Sequence, residues 1–243
     1  MTKKLAVFVE GQTEQIFMQR LLREIVGQKN IAIDSLKFIG SGPARLRRVT
    51  GNTPANVPFY AQICDCHGGG EMTTVVSDIR DHYQGLVQEG FSLVLGLRDV
   101  YPVPMSRMEK LREGITSVLP HGKVPVRMIF AVREMEAWFI VEDRHYLQIH
   151  PGLTPRKINK ELHINVSTIH AESIHHPAEL LNKIYRLKTK GYQKSRFGVQ
   201  RTIDALNFDY LVHEVPKRAA TLGELCQSLQ DFFEITPKTN HPA

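Results

Sequence analysis

A short apolar run at residues 5–9 ends on Glu10, and an amphipathic helical pattern over residues 13–28 follows at once. Because this run is almost entirely apolar and does not alternate, it is typical of a strand covered on both faces, as in a parallel sheet. Glu10 then lies where a strand passes into a helix, at the sheet edge where open α/β proteins bind their ligands. For a lone glutamate at this point the end of the strand is the favoured explanation, so a further role depends on the rest of the chain.

The same order of strand and helix repeats along the first half of the chain. The further predicted strands are residues 31–42, 59–64, 91–97 and 126–132. Apolar residues at helical spacing predict helices over residues 72–89 and from about residue 106 onward, whereas the polar stretch at residues 50–58, which follows a basic run at residues 45–48, indicates a loop. This alternation predicts an α/β fold with a mainly parallel, Rossmann-like sheet flanked by helices.

Acidic residues follow three more of these strands. Asp65, Asp99 and Glu134 each come shortly after an apolar run, and Glu136 follows Glu134. Because parallel strands place their carboxyl ends at one edge, these acids should converge on Glu10. Carboxylates about 5 Å apart repel by roughly 3 kcal/mol per pair at an effective dielectric constant of 20. A hard divalent cation offsets that repulsion, which predicts a Mg²⁺ site, with Mn²⁺ as a substitute.

The spacing of the last two acids sets a condition on this site. In a regular helix that starts at Glu134, the side chains of Glu134 and Glu136 are about 200° apart around the axis. Both can face one point only if the turn is irregular.

The carboxy-terminal part has helical patterns and a basic stretch. Residues 183–201 contain no acidic residue, and their basic residues are Lys183, Arg186, Lys188, Lys190, Lys194, Arg196 and Arg201. Tyr185, Tyr192 and Phe197 are interleaved with these charges. This combination is typical of a nucleic-acid-binding surface, where charges contact phosphates and rings stack on bases. An ordinary solvated surface with the rings turned inward explains the same pattern, so both interpretations stay open.

Composition sets broad limits on the class of protein. The chain has 243 residues, 42% of them hydrophobic, and a net charge of +6, which is typical of a soluble globular protein with a polyanionic partner. Three cysteines cannot form a disulfide framework, and the CDCH sequence at residues 64–67 lacks the second ligand pair of a structural zinc site. Without a signal peptide or a membrane-spanning run, we expect a cytoplasmic protein with reduced thiols and no membrane partner.

These patterns predict three parts of the chain. Residues 1–144 should form the α/β domain, and residues 145–235 a helical, basic region packed on it. The tail at residues 236–243 should be disordered.

Several motifs resemble a known family. The VEGQTE motif at residues 9–14 and GLRDVYP at 96–102 are similar to the two acidic motifs of the Toprim domain of topoisomerases, primases and the overcoming-lysogenization-defect nucleases. With MEAWF at 135–139, HPAELLNKIY at 176–185 and YQKSRFGVQRTIDAL at 192–206, the chain more closely resembles an uncharacterised bacterial Toprim-like family. That family occurs in mobile and phage-defence loci, often beside an ATPase gene.

The resemblance assigns roles to individual residues. It implies that Glu10 is the Toprim glutamate, a general acid or base beside the metal, and that Asp99 is the first aspartate of an Asp-x-Asp pair. Tyr101 replaces the second aspartate, which removes one metal ligand and leaves one-metal and two-metal chemistry open. Lys194 matches a basic residue that related nucleases place near the scissile phosphate. Asp65, Glu134 or Glu136 would supply the missing oxygen.

Two classes of function follow from these residues. The first is a magnesium-dependent phosphodiesterase, a nuclease acting on DNA or RNA, in which Arg98 or Lys194 offsets charge on the phosphate. The second is a non-catalytic module that binds nucleic acid or a partner ATPase and retains a degenerate cation site. A nucleotide-binding regulator lacks sequence support, because no lysine-containing phosphate loop is present. A homodimer is compatible with either class.

Overall fold

A computed structural model of the chain describes residues 2–38, 46–50, 56–67, 74–100 and 105–235. The strands in these ranges are β1 Lys3–Val9, β2 Ile31–Phe38, β3 Leu46–Thr50, β4 Phe59–Asp65, β5 Leu93–Asp99 and β6 Val126–Ala131. The α-helices in the same ranges are α1 Gln12–Val26, α2 Val75–Gln88, α3 Met108–Val118, α4 Glu136–Val141, α5 Tyr146–Ile149, α6 Pro155–Leu162, α7 Pro177–Arg186, α8 Arg196–Ala205, α9 Phe208–His213 and α10 Ala220–Phe233. The tail at residues 236–243, expected to be disordered, lies outside the described residues.

The strands form one sheet in the order β3-β2-β4-β1-β5-β6. Every neighbouring pair is parallel except β2 with β3, which are antiparallel. The chain is therefore an α/β protein with five parallel strands, as the alternation predicted. This Rossmann-like architecture is consistent with a Toprim-type fold.

The edge strand β3 departs from the prediction. The sequence predicts no strand at the basic run of residues 45–48 and a loop at residues 50–58, yet Leu46–Thr50 pairs with β2. A strand at the edge of a sheet has a neighbour on one side only, and charged residues are common there. A run containing Arg47 and Arg48 therefore lacks the apolar signal by which the buried strands were found.

The two faces of the sheet carry different helices. On one face, Leu5, Val7 and Val9 of β1 pack in a cluster with apolar residues of α1 and of the helices from α4 to α10. On the other face, Ala6 and Phe8 pack with residues of α2 and α3. Both faces of β1 are thus covered, which explains why its sequence is apolar throughout.

This arrangement makes β1 the switch point of the sheet. The chain leaves the carboxyl end of β1 toward α1 on one face, whereas it leaves the neighbouring strands β4 and β5 toward α2 and α3 on the other face. The connections diverge above β1 and leave a crevice at the carboxyl ends of these strands. Such crevices are where open α/β sheets bind ligands.

The carboxy-terminal helices belong to the core on the α1 face. Residues of α7, α8 and α10 share one apolar cluster with β1 and α1, so residues 145–235 pack directly on the sheet layer. The proposed boundary at residue 144 falls between α4 and α5 and stays a prediction. All three cysteines are buried free thiols. No helix among the described residues is long and apolar enough to span a bilayer.

Candidate active site

The structure brings Glu10 and Asp99 together at the carboxyl edge of the sheet. Glu10 follows β1, Asp99 ends β5, and the Asp99 backbone N–H donates to Glu10 Oε2 at 3.0 Å. Asp99 Oδ1 in turn accepts a hydrogen bond from the Met135 N–H at 3.1 Å. The two acids that resemble the Toprim motifs therefore meet, and the Asp99 side chain ties β5 to the start of α4.

The turn before α4 is irregular, as the two glutamates there require. Arg133 has a φ of 71°, a left-handed conformation that costs energy for a residue other than glycine. Glu134 lies in the turn, and Glu136 is the first residue of α4. As a result, Lys194 Nζ contacts both side chains, at 2.9 Å from Glu134 Oε1 and 3.2 Å from Glu136 Oε1.

Each of these glutamates has a second set of contacts. Glu134 Oε2 accepts the Ala178 N–H at 3.0 Å, in the first turn of α7, where a helix dipole favours negative charge. Glu136 is fully buried, and its Oε1 also accepts the Tyr192 hydroxyl at 2.9 Å. Its other oxygen, Oε2, is buried without a hydrogen-bond partner among the described residues. A buried carboxylate oxygen without a donor is costly unless a ligand or a cation satisfies it.

Glu14 is a member of the site that the sequence analysis missed. It stands in the first turn of α1, one helical turn after Glu10, and only 6% of its surface is exposed. Its position three and four residues before the core residues Phe17 and Met18 could have revealed it, because that spacing places a charge on the buried face of the helix. The N-cap of α1 is Gly11.

Burial and mutual repulsion raise the pKa values of the clustered carboxylates. Burial, with the charges of Glu136 and Glu10, raises the pKa of Glu14 to about 7. Burial and then the charges of Glu14, Glu136 and Glu10 hold the pKa of Asp99 well above its usual value. The pKa values of Glu10 and Glu136 are also raised, mainly by burial. These carboxylates therefore hold protons more tightly than free ones, or take up another positive charge.

Lys194 supplies part of that charge. Burial by itself would lower the pKa of its ammonium, but Glu136 and Glu134 raise it above the usual value for lysine. Asp99 acts in the same direction. The ammonium is therefore charged at neutral pH and lies within the field of at least three carboxylates.

Two other predicted site residues make separate contacts. Asp65 ends β4 beside β1, but its Oδ2 is 3.7 Å from Lys37 Nζ, and its Oδ1 accepts the His67 N–H at 2.9 Å. Arg98 precedes Asp99, and its charge lowers the pKa of Glu10. Its buried Nε has no hydrogen-bond partner in the described part of the chain. Tyr101 lies outside the described residues.

The carboxylates fit a hard divalent cation in their chemistry. All offer oxygen atoms as ligands, and one buried oxygen of Glu136 has no hydrogen-bond donor among the described residues. In the described ranges, however, no three histidine, cysteine, aspartate or glutamate side chains are placed so that they could hold one metal ion. In this conformation Lys194 occupies the position beside Glu134 and Glu136 that a cation would share.

The basic stretch divides into two groups. Lys188, Lys190 and Arg201 line a cavity of about 490 Å³ together with Tyr185, Tyr192 and Phe197. The remaining basic residues of the stretch lie outside the lining of this cavity: Lys194 contacts Glu134 and Glu136, and Lys183, Arg186 and Arg196 are exposed.

The rings also behave in two ways. Tyr185 and Tyr192 are turned inward, with 1% and 5% exposed, as an ordinary surface would have them. Phe197 is 80% exposed, as a stacking platform would be. The two tyrosines therefore agree with an ordinary surface, whereas nucleic-acid binding at Phe197 stays a prediction.

Fold and site together define a class: an α/β protein whose parallel sheet carries a buried cluster of carboxylates and one lysine at its carboxyl edge. The chain belongs to the family described as "Domain of unknown function (DUF4276)", whose sequence profile matches residues 9–203. The matched segment contains every residue of the cluster and the lining of the basic cavity. No curated protein and no solved structure gave a significant match to the chain.

Proposed function

We propose that this protein is a metal-dependent phosphodiesterase that cleaves DNA or RNA. The observation that carries the proposal is the meeting of Glu10, Glu14, Asp99 and Glu136 around Lys194 at the switch point of the sheet. Bringing buried carboxylates together raises their pKa values and costs stability, which a protein tolerates where the charges serve a ligand.

Glu10 and Asp99, which meet through the Asp99 N–H, are the residues that would hold the cation, with phosphate and water oxygens as its other ligands. Bound Mg²⁺ or Mn²⁺ supplies charge that polarises a phosphate and makes a water molecule more acidic. Glu14, with a pKa of about 7, is partly protonated at neutral pH and is suited to give or take a proton. The Lys194 ammonium can neutralise an oxygen of the scissile phosphate. Tyr192 holds Glu136 in place through its hydroxyl.

A cleavage assay tests this proposal. Purified protein is incubated with plasmid, linear duplex, single strands and tRNA, with Mg²⁺, with Mn²⁺ or with EDTA. We expect metal-dependent cleavage that falls at least about a hundredfold in Glu10→Gln and in Asp99→Asn. Glu24→Gln serves as the matched control, since Glu24 lies on α1 like Glu14 but is exposed and pairs with Arg20. Cleavage that is unchanged in the Glu10 and Asp99 variants contradicts the site assignment.

A second candidate is a non-catalytic module that binds nucleic acid or a partner ATPase. The placement of Lys194 favours it, because its ammonium contacts both Glu134 and Glu136 and offsets part of their charge. In this case the acids and the lysine form a structural ion network. Calorimetric titration with Mg²⁺ and Mn²⁺ separates the two candidates: heat of binding that disappears in Asp99→Asn supports the enzyme, and no binding at millimolar metal supports the module.

A further inference from the structure

The wall of the cavity beside the carboxylate cluster, formed by its lining residues, combines three features. Lys188, Lys190 and Arg201 supply positive charge, and no aspartate or glutamate is among its lining residues in the described chain. Phe197 is the most exposed large apolar side chain of the described residues, at 80%. The first turn of α8 also lines the cavity, and the positive end of its helix dipole favours an anion.

The loop that forms this wall is held in place by its own hydrogen bonds. Thr189 Oγ1 donates to the Tyr185 carbonyl at 2.9 Å and accepts the Gly191 N–H at 3.2 Å. Asn182 Oδ1 accepts the Tyr192 N–H at 3.1 Å. Gly191 has a φ of 102°, and a Cβ atom there would clash with Asn182 Oδ1. The wall is therefore preformed, which lowers the entropy lost when a ligand binds.

The same loop joins the cavity to the carboxylate cluster. Tyr192 lines the cavity with its ring while its hydroxyl donates to Glu136. Gln193 and Ser195 also line the cavity, and Lys194 between them contacts Glu134 and Glu136. A ligand in the cavity is consequently separated from the cluster by one short segment of chain.

We infer that this cavity is the docking site for an unpaired nucleotide of a single-stranded nucleic acid. The base stacks on Phe197, and the flanking phosphates contact Lys188, Lys190 and Arg201. A paired base in a duplex stays within the stack and presents only phosphates to such a surface, so it cannot reach the ring without flipping out. The inference rests on the proposed function in one respect, the polyanionic substrate, and it narrows that substrate to single strands or unpaired segments.

Fluorescence anisotropy in EDTA tests docking without cleavage. The probes are labelled single strands of DNA and of RNA, about 16 nucleotides long, and the blunt duplex of the same sequence. We expect tighter binding of a single strand than of the duplex. Phe197→Ala should weaken single-strand binding by about fivefold or more, whereas Phe197→Trp should keep the affinity of the wild type. Comparing the affinities for the DNA and RNA probes shows which of the two nucleic acids the cavity binds.

Charge reversal provides the second readout. Lys188→Glu and Lys190→Glu should each weaken binding and lower its dependence on salt. Lys110→Glu is the matched control, because Lys110 is an exposed lysine on α3, and α3 packs on the other face of the sheet. Since Phe197 is exposed, its alanine variant should melt at the wild-type temperature, so weaker binding would not reflect unfolding.

The outcomes separate this inference from the proposed function. Single-strand binding that depends on Phe197, without cleavage under any metal condition, supports the docking site and contradicts the nuclease. Metal-dependent cleavage, together with single-strand binding that is unchanged in Phe197→Ala, supports the nuclease and contradicts the docking site. Equal affinity for duplex and single strand, equal effects of Lys110→Glu and Lys188→Glu, or no binding of any probe overturns the docking site.

Discussion

Replacing Glu14 with glutamine should make the protein more stable at pH 8 and have much less effect at pH 5. In the folded chain the Glu14 carboxyl is buried near Glu136 and Glu10, which raises its pKa from 4.5 to about 7. In the unfolded chain it regains water and its ordinary pKa. Folding therefore costs free energy wherever the group must ionise.

The sign follows from proton uptake. Between pH 4.5 and about 7 the folded state keeps a proton that the unfolded state has lost, so stability falls as the pH rises through this window. The contribution of Glu14 to the free energy of unfolding is most favourable below pH 4.5. It is least favourable, and no longer changes, above about pH 7. A rise in the pKa of Glu14 from 4.5 to about 7 lowers the free energy of unfolding by about 3 kcal/mol once the group is ionised. Glutamine keeps the shape of the side chain without the charge and removes that loss.

Thermal unfolding followed by circular dichroism in EDTA measures this difference. For a chain of this size, 1 kcal/mol shifts the melting temperature by about 2–4 °C. The Glu14→Gln variant should therefore melt about 6–12 °C above the wild type at pH 8, with a small shift at pH 5. Glu24→Gln, an exposed change on the same helix, should show no such dependence on pH.

A Glu14→Gln shift of the same size at both pH values would refute the reasoning, because it would show that the effect is one of packing. Loss of stability at pH 8 would show that the Glu14 carboxylate is compensated in the folded protein. In either case the cluster would not hold the uncompensated charge on which the metal proposal depends.

Two further changes test the surroundings of the cluster. Lys194→Met should lower the stability of the protein, whereas Glu14→Gln raises it. The Lys194 ammonium lies 2.9 Å from Glu134, but the side chain is 46% exposed. We therefore expect a loss of about 1 kcal/mol in the free energy of unfolding at pH 8. The loss should shrink at pH 5, because burial raises the pKa of Glu136 and its protonation weakens the contact with Lys194. Thermal unfolding at both pH values checks this, and an equal loss at both would contradict a contribution from the Lys194–Glu136 pair. Gly96→Ala in β5 should cost about 1 kcal/mol, because its Cβ would clash with Met128 Sδ, near the end of a flexible, half-buried side chain that must move aside. Urea unfolding measures that cost, and Met128→Ala in the same chain should recover part of it.

The sequence was sufficient for the parallel strands and for the acids at their ends. Apolar runs that are buried on both faces have a strong signal, and the alternation of strand and helix implies parallel pairing, so Glu10 and Asp99 could be placed at one edge. The edge strand β3 could not be found in this way, because two of its five residues are arginines, so it lacks an apolar run, and its strand is defined by its pairing with β2.

Apart from Glu14, whose helical spacing places it on a buried face, the membership of the cluster depended on side-chain directions that no periodicity specifies. Asp65 follows its strand as Asp99 does, yet it pairs with Lys37. Glu134 and Glu136 face the same lysine because Arg133 adopts a left-handed conformation. A strand-end position fixes the edge of the sheet on which a residue lies, but not which neighbour its side chain contacts.

The sequence by itself therefore determined the α/β class, the shared edge and the basic character of the carboxy-terminal stretch, because these follow from local hydrophobicity and charge. Only the tertiary structure decided that Glu14 joins the cluster, that Lys194 reaches it from a distant segment, and that Phe197 points outward while Tyr185 and Tyr192 point inward. The physical reason is that burial and pairing of a side chain depend on which distant elements pack against it, and packing is a property of the whole fold.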